Sequence, residues 1–243
     1  MTGAASMQRA CSIATAFSMA LSCSDGMAEV DHRLSLSVVQ IHAYPEGGPM
    51  FFGSGVAIGG DHVATNCHVT RLAHTIVVAK GPVRYRVTAQ QADPRHDLCL
   101  LTVPGLPVPQ AQLGSAADLS VGEEVYFYGF PRALGMSFSV GRVEGLHPFD
   151  GAPVIETSTD FVQGGSGGGL FSERGRLIGL ATFLTAGKAG RNYAIPADWI
   201  PALSRTAANP IVPLSGASFW EDVNHLPGFL KRPDPLATVH ARP

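Results

Sequence analysis

Gln163-Gly164-Gly165-Ser166-Gly167-Gly168-Gly169 is the stretch on which the reading of this chain turns. By composition alone, such a glycine run around one serine is a flexible linker. The other reading is a backbone shaped to present a hydroxyl, because glycine accepts the positive-φ turns that aim amides without a Cβ penalty. Two earlier segments decide between them. Thr65-Asn66-Cys67-His68-Val69 supplies an imidazole after a strand-like run, and His96-Asp97-Leu98-Cys99-Leu100-Leu101 supplies a carboxylate at the head of an apolar run. A serine hydroxyl is a poor nucleophile at neutral pH. Acyl transfer therefore needs an adjacent imidazole as base and a buried carboxylate to fix the tautomer of that base. In chain order, His68, Asp97 and Ser166 fit those roles, and the amides of Gly164 and Ser166 are the expected donors to a developing oxyanion.

Around this constellation, short runs rich in Val, Ile, Phe and Tyr recur between turns: Leu36 to His42, His62 to Thr65, Ile76 to Val78, Val125 to Tyr128, Val154 to Thr157 and Leu177 to Thr182. With 28 Gly and 18 Pro in 243 residues, the chain favours many turns over long helices. That spacing reads as all-β, sandwich or barrel. His68 and Asp97 precede the Ala111 to Gly122 connection and Ser166 follows it, so the three groups meet only in a cleft between two halves.

Further motifs stand in a recognisable order. Gly53-Ser-Gly-Val-Ala-Ile58 precedes the histidine, and Asp97-Leu-Cys-Leu-Leu101 carries the aspartate. Leu113-Gly-Ser leads through Gly122-Glu-Glu-Val-Tyr-Phe-Tyr-Gly-Phe-Pro131, and Asn192-Tyr-Ala-Ile-Pro196 follows the serine. From about Gly53 to Ile200 the chain resembles the trypsin-like (chymotrypsin-fold) serine proteases, and within them the bacterial Deg/HtrA-type enzymes. The resemblance implies two packed six-stranded antiparallel β-barrels, the first over about residues 34–112 and the second over about 122–200. A short helix starting in Pro196-Ala-Asp-Trp-Ile-Pro201 would close a protease domain spanning 29–201.

The resemblance also implies an endopeptidase that works through an acyl-enzyme, without metal or organic cofactor, on unfolded or damaged exported polypeptides. An esterase of the nucleophile-elbow kind fits less well, because Leu170-Phe171 after the serine begins a strand-like run and not a helix. A catalytically silent trypsin-fold binding module is the alternative from a different class.

Departures from the family pattern carry their own expectations. Relatives often place Asn, Asp or Ser immediately before the nucleophile, and an acid there pairs with a new N-terminus in activated zymogens. Gly165 cannot do so. The Pro- and Ala-rich stretch 202–243 is too short for a PDZ module, since domains below about 50 residues seldom fold unaided. Within it, Phe219-Trp220-Glu-Asp-Val223 and Leu226-Pro-Gly-Phe-Leu230 are apolar enough to dock on a barrel.

The candidate substrate pocket comprises Asp160, Gln163, Thr182, Phe183, Arg191 and Tyr193. Asp160 lies six residues before Ser166, the offset at which trypsin-like enzymes carry the acid that pairs with a substrate Arg or Lys. Against a basic P1 preference stand Phe161, which could fill the pocket, and Arg191, which could neutralise Asp160 from the face of Tyr193. Thr182 and Phe183 also suggest a closed, apolar pocket. Small or aliphatic, basic and acidic P1 preferences all stay open, the first favoured.

Residues 1–28 read as a secretory signal, with Arg9 in a positive n-region, an apolar core from Ala10 to Leu21 and small residues at Gly26-Met27-Ala28. Periplasmic or secreted localisation follows. Lipid anchoring at Cys23 is the lesser alternative, because Ala20 stands where a larger aliphatic residue is usual. A formal charge of −2 without a Lys/Arg cluster excludes a nucleic-acid surface, and no apolar run after the N-terminus is long enough to span a bilayer.

Cys67 adjoins His68 and Cys99 follows Asp97 by two residues, so a triad would bring the two cysteines together and make a disulfide the expected pairing in an oxidising compartment. Two packed free thiols are the alternative, and without CxxC or HxxxH spacing a metal site is not expected. Oligomerisation stays open. Of the remaining candidates, His62, His74 and His96 read as structural or solvent-facing, and Trp199 as packing the terminal helix.

Overall fold

Val-, Ile- and aromatic-rich runs between glycine turns form thirteen strands in a computed structural model that describes residues 31–131, 135–185 and 191–231. The expected signal sequence and Cys23 lie outside these residues. The first half contains β1 (Val38–Tyr44), β2 (Phe51–Ala57), β3 (His62–Asn66), β4 (Thr75–Lys80), β5 (Val83–Arg86), β6 (Ala89–Asp93) and β7 (Leu98–Thr102), in the antiparallel order β5-β4-β1-β2-β3-β7-β6. Inward side chains of Val39, Ile41, Ile76, Val78, Leu101 and Val103 make its core. Each such side chain contributes roughly 1.5–3 kcal/mol when fully buried.

Seven strands stand here where six were expected, and the reason is local. Only Val87 and Thr88 separate β5 from β6. The Val87 amide donates to Ile76 O on β4 and the Thr88 amide to Thr102 O on β7, both at 3.0 Å. One strand bent at this point thus serves both edges of the sheet, and the covalent chain joins them where a ladder otherwise would.

The second half is a closed six-stranded barrel, as expected. It contains β8 (Glu124–Gly129), β9 (Ser137–Phe149), β10 (Ala152–Thr157), β11 (Gly169–Ser172), β12 (Leu177–Leu184) and β13 (Asn192–Pro196), in the order β10-β13-β12-β11-β8-β9. Register shifts at Glu156/Thr157, Leu170/Phe171 and Ala181/Phe183 bend three strands, as closure of a small barrel requires. Val125, Phe127, Ile155, Leu170 and Ile178 fill it. A 3-10 turn, Ala197–Trp199, then leads into the short helix Ile200–Leu203.

Beyond that helix the chain forms a strap over both barrels. Gln90 and Asn209 exchange backbone hydrogen bonds of 2.8 Å, the Leu214 amide donates to Arg71 O at 2.7 Å and the Phe219 amide to Arg95 O at 2.9 Å. Phe219 is buried against Phe149, their centroids 4.6 Å apart, and Phe229 stacks on His147 at 4.6 Å. Both apolar segments of the tail therefore dock, as their composition suggested.

Candidate active site

Strand register brings the imidazole to the carboxylate. On β3 and β7, Asn66 faces Leu98 and Thr65 faces Cys99, so the residues just past those ends, Cys67 and Asp97, are neighbours. Cys67 N donates to Asp97 O at 3.1 Å, and the Asn66 side-chain amide reaches the same oxygen at 3.1 Å. Asp97 sits in the left-handed region at φ 57°, one of the few residue types that adopts it at modest cost. His68 follows on the one-turn helix Cys67–Thr70.

Its amide donates to Asp97 Oδ1 at 2.8 Å and its Nδ1 stands 2.6 Å from Oδ2. The Asp97 side chain is wholly buried, which raises the strength of those bonds and the cost of losing them. A disulfide joins Cys67 to Cys99, with Cα atoms 5.0 Å apart, as the sequence pattern suggested.

The serine comes from the second barrel, on the loop between β10 and β11. Its anchor is Ser54 of β2, which sequence reasoning did not single out. The Ser54 amide donates to Ser166 O at 2.8 Å, and its hydroxyl donates to Gly164 O at 2.9 Å while accepting from Phe130 N at 2.8 Å. The Ser54 carbonyl in turn accepts from Thr65 Oγ1 at 2.7 Å. Gly164 has φ +91° and Gly167 φ +82°, and a Cβ at Gly167 would run into the Ser54 carbonyl. The glycines are thus required by geometry here, and the linker reading of this run fails.

The amides of Gly165, Gly167 and Gly168 are committed to Val162 O, Ala181 O and Gly165 O, each at 2.8 Å. Among the described residues, those of Gly164 and Ser166 donate to no protein acceptor. Ser166 Oγ donates to Thr182 O at 3.3 Å, and no hydrogen bond joins it to His68.

A family model for the trypsin-like peptidase domain matches residues 53–180. The chain belongs to that family. Curated relatives include a probable periplasmic serine endoprotease DegP-like of Ectopseudomonas mendocina, 35% identical over 156 residues. That alignment covers 60% of this chain and 33% of the relative. The corresponding protein of Halomonas elongata is 33% identical over 155 residues, covering 60% and 33%. The chain thus spans about a third of the length of these curated relatives.

Among solved structures, the active form of the Rv3671c protease of M. tuberculosis superposes with a TM-score of 0.66 at 23% identity, covering 76% of this chain and 86% of that one. The HtrA-type protease AlgW with a tripeptide gives 0.65 at 23% identity, covering 71% and 60%. These likenesses show the trypsin-like fold.

Within this trypsin-like domain, the pocket candidates separate. Asp160 is exposed, its amide bonded to Ser139 Oγ at 2.9 Å, and its carboxylate has no ion-pair partner among the described residues. The expected pairing with Arg191 does not occur. Arg191 Nε lies 3.3 Å from Glu156 Oε1, because the β10–β13 register sets Glu156 opposite Tyr193 and so near the head of β13. Phe161 does not fill the pocket either: it packs on Phe127 at 5.4 Å within the barrel core.

Glu156 also takes His147 Nε2 at 2.7 Å and the Tyr193 hydroxyl at 3.4 Å. Burial, and after it the neighbouring Glu156 charge, push the Tyr193 phenol up, although Arg191 opposes the shift. Thr182 is buried, accepts from Asn66 Nδ2 at 3.0 Å and donates to Leu180 O at 2.7 Å. Phe183 lies between two stacked rings, Tyr193 at 4.9 Å and Trp220 at 5.0 Å. Gln163 is exposed on the serine loop.

His96 does not touch the Asp97 carboxylate. It bridges Asp93 of the first barrel, 2.6 Å from Nδ1, and Asp150 of the second, 3.1 Å from Nε2, with Trp199 packed on its ring at 4.2 Å. Burial lowers the affinity of His96 for a proton, yet the two carboxylates outweigh it and hold the imidazole above its ordinary value.

Proposed function

We propose that this chain is an exported serine endopeptidase. The observation that carries the reading is the His68–Asp97 pair, buried on the carboxylate side and tied by register to the strand pair beneath it, with the Ser166 loop bonded to the same barrel through Ser54. In this reading Ser166 Oγ leaves the Thr182 carbonyl as substrate binds, gives its proton to His68 Nε2 and attacks the scissile carbonyl. Asp97 holds the Nδ1–H tautomer and offsets the charge that develops on the imidazole. The uncommitted amides of Gly164 and Ser166 stabilise the tetrahedral oxyanion. The leaving amine takes the proton back from His68, and water releases the acyl group by the same steps in reverse. Relatives named periplasmic serine endoproteases support an extracytoplasmic site of action and polypeptide as the substrate class.

At the P1 pocket a second reading gains ground. With Arg191 held by Glu156 and Phe161 in the core, an exposed Asp160 carboxylate with no ion-pair partner among the described residues favours a Lys or Arg side chain over the small aliphatic one that Thr182 and Phe183 suggest. The test is cleavage of an unfolded protein and a mixed peptide library by the purified chain, with Ser166→Ala alongside. Ser166-dependent cleavage is expected. Sites after Lys or Arg that disappear in Asp160→Ser establish the basic pocket, and sites after Ala or Val establish the aliphatic one. A well-folded chain that binds polypeptide without cutting it would identify a silent binding module.

A further inference from the structure

The C-terminal strap enters the active site. Trp220 Nε1 donates to Asp97 Oδ2 at 3.1 Å, the same oxygen that faces His68 Nδ1. The indole meets the His68 ring edge-on at 5.5 Å and stacks on Phe183 at 5.0 Å. We propose that Trp220 is a positioning residue for the His68–Asp97 pair, so that the strap is a working part of the active site. This rests on the reading of His68, Asp97 and Ser166 as a triad.

Counting donors shows why the indole matters. A buried carboxylate needs several hydrogen bonds, and Asp97 has His68 N on Oδ1 and His68 Nδ1 with Trp220 Nε1 on Oδ2. The hydroxyl of Thr182, which shares Asn66 with the Asp97 carbonyl, is turned to Leu180 O. Among the described residues, the carboxylate without Trp220 would keep only the two donors of His68.

The strap is fixed by residues that flank both members of the pair. Arg71, three residues after His68, forms a fork with Glu221, Nη1 to Oε1 at 3.0 Å and Nη2 to Oε2 at 2.5 Å. Arg95, two residues before Asp97, accepts the Phe219 amide. Ser218 N caps Glu221 Oε2 at 2.9 Å. The clamp thus sets the indole from the same two loops that carry the base and its orienter.

Trp220→Phe keeps the stacked ring and removes the N–H. The expected result is a fall of about tenfold in kcat with KM little changed, the rate equivalent of one hydrogen bond to a charged group. The acid limb of the kcat profile should also move to higher pH, because a carboxylate that no longer shares its charge with the indole holds the imidazolium more tightly. Val223→Ser, at an exposed strap position, should leave both unchanged. A folded Trp220→Phe enzyme whose acid limb stays in place overturns the proposal, whatever its kcat, since a packing role alone would not move that limb.

If Trp220→Phe fails to fold, the wild-type chain decides by nuclear magnetic resonance, with Trp199→Phe assigning the two indoles. A Trp220 indole proton that exchanges slowly and titrates with His68 supports the role, and one that exchanges like a free indole overturns it. The resonance test needs no turnover. Absence of Ser166-dependent cleavage in the wild type would refute the triad, and the indole contact would then be judged on the spectrum alone.

Discussion

The two halves of the candidate site are held by different means. On the first barrel, side chains and covalent bonds fix the geometry: the β3–β7 register, the Cys67–Cys99 disulfide, two His68 contacts to a buried carboxylate and the Trp220 indole. On the second barrel, the serine loop is held almost wholly through its backbone, by Ser54 and by glycine conformations that admit no side chain. Its hydroxyl rests on Thr182 O. His68 and Asp97 are therefore already paired, whereas the Ser166 hydroxyl would complete the proposed triad only by leaving Thr182 O. Damage to the first half should act on proton chemistry or on global stability, and damage to the second on oxyanion stabilisation.

The largest effect is expected at the orienter. Asp97→Asn preserves shape but favours the wrong imidazole tautomer, and kcat should drop by about 10⁴ in single-turnover assays. A loss below tenfold would mean that the first half is not the proton-handling side. Next comes the covalent tie. Replacing Cys67 and Cys99 together by Ala removes a cross-link across 32 residues, and the loss should be roughly 3–4 kcal/mol in denaturant unfolding. Added reductant should destabilise the wild type and leave the double variant unaffected.

Ser54→Ala probes the other half. It strips the Gly164 carbonyl and the Phe130 amide of their shared buried partner, at about 1–3 kcal/mol, and kcat should fall while the His68 resonances stay in place. Movement of those resonances would erase the distinction between the halves.

The smallest effect concerns the seam between barrels. His96 gains affinity for a proton on folding, so its contribution is complete below the ordinary histidine pKa and fades as pH rises through its elevated folded value. His96→Gln should cost about 0.5 kcal/mol at pH 5.5 and progressively less towards pH 8.5, read from urea midpoints. A cost that grows with pH would contradict the ion pairs to Asp93 and Asp150.

The first half was legible because its signals are local: a strand, an imidazole at its end, a carboxylate at the head of the strand it pairs with, and a cysteine beside each. The second barrel could be read from its spaced β runs. The bent β5–β6 strand could not, since a break at Val87 leaves no mark in the alternation of residue types. Trp220 escaped because 123 residues separate it from Asp97, and the surrounding Pro- and Ala-rich stretch resembles a tail. The partner of Arg191 is not legible because the face it shares with Tyr193 says nothing of the neighbouring strand, where Glu156 stands. Ser54 holds the loop through its amide and through a hydroxyl whose partners, Phe130 and Gly164, lie 76 and 110 residues further along the chain, a pairing that residue identity does not advertise.

The central claim is that Ser166 is a nucleophile activated by His68 and Asp97. The most direct measurement is covalent labelling of the purified chain by a fluorophosphonate, with the modified residue located by mass spectrometry. One label per chain is expected, on Ser166, lost in Ser166→Ala and strongly slowed in His68→Ala. A folded wild-type chain that takes up no label, or takes it up equally without Ser166 or His68, would contradict it.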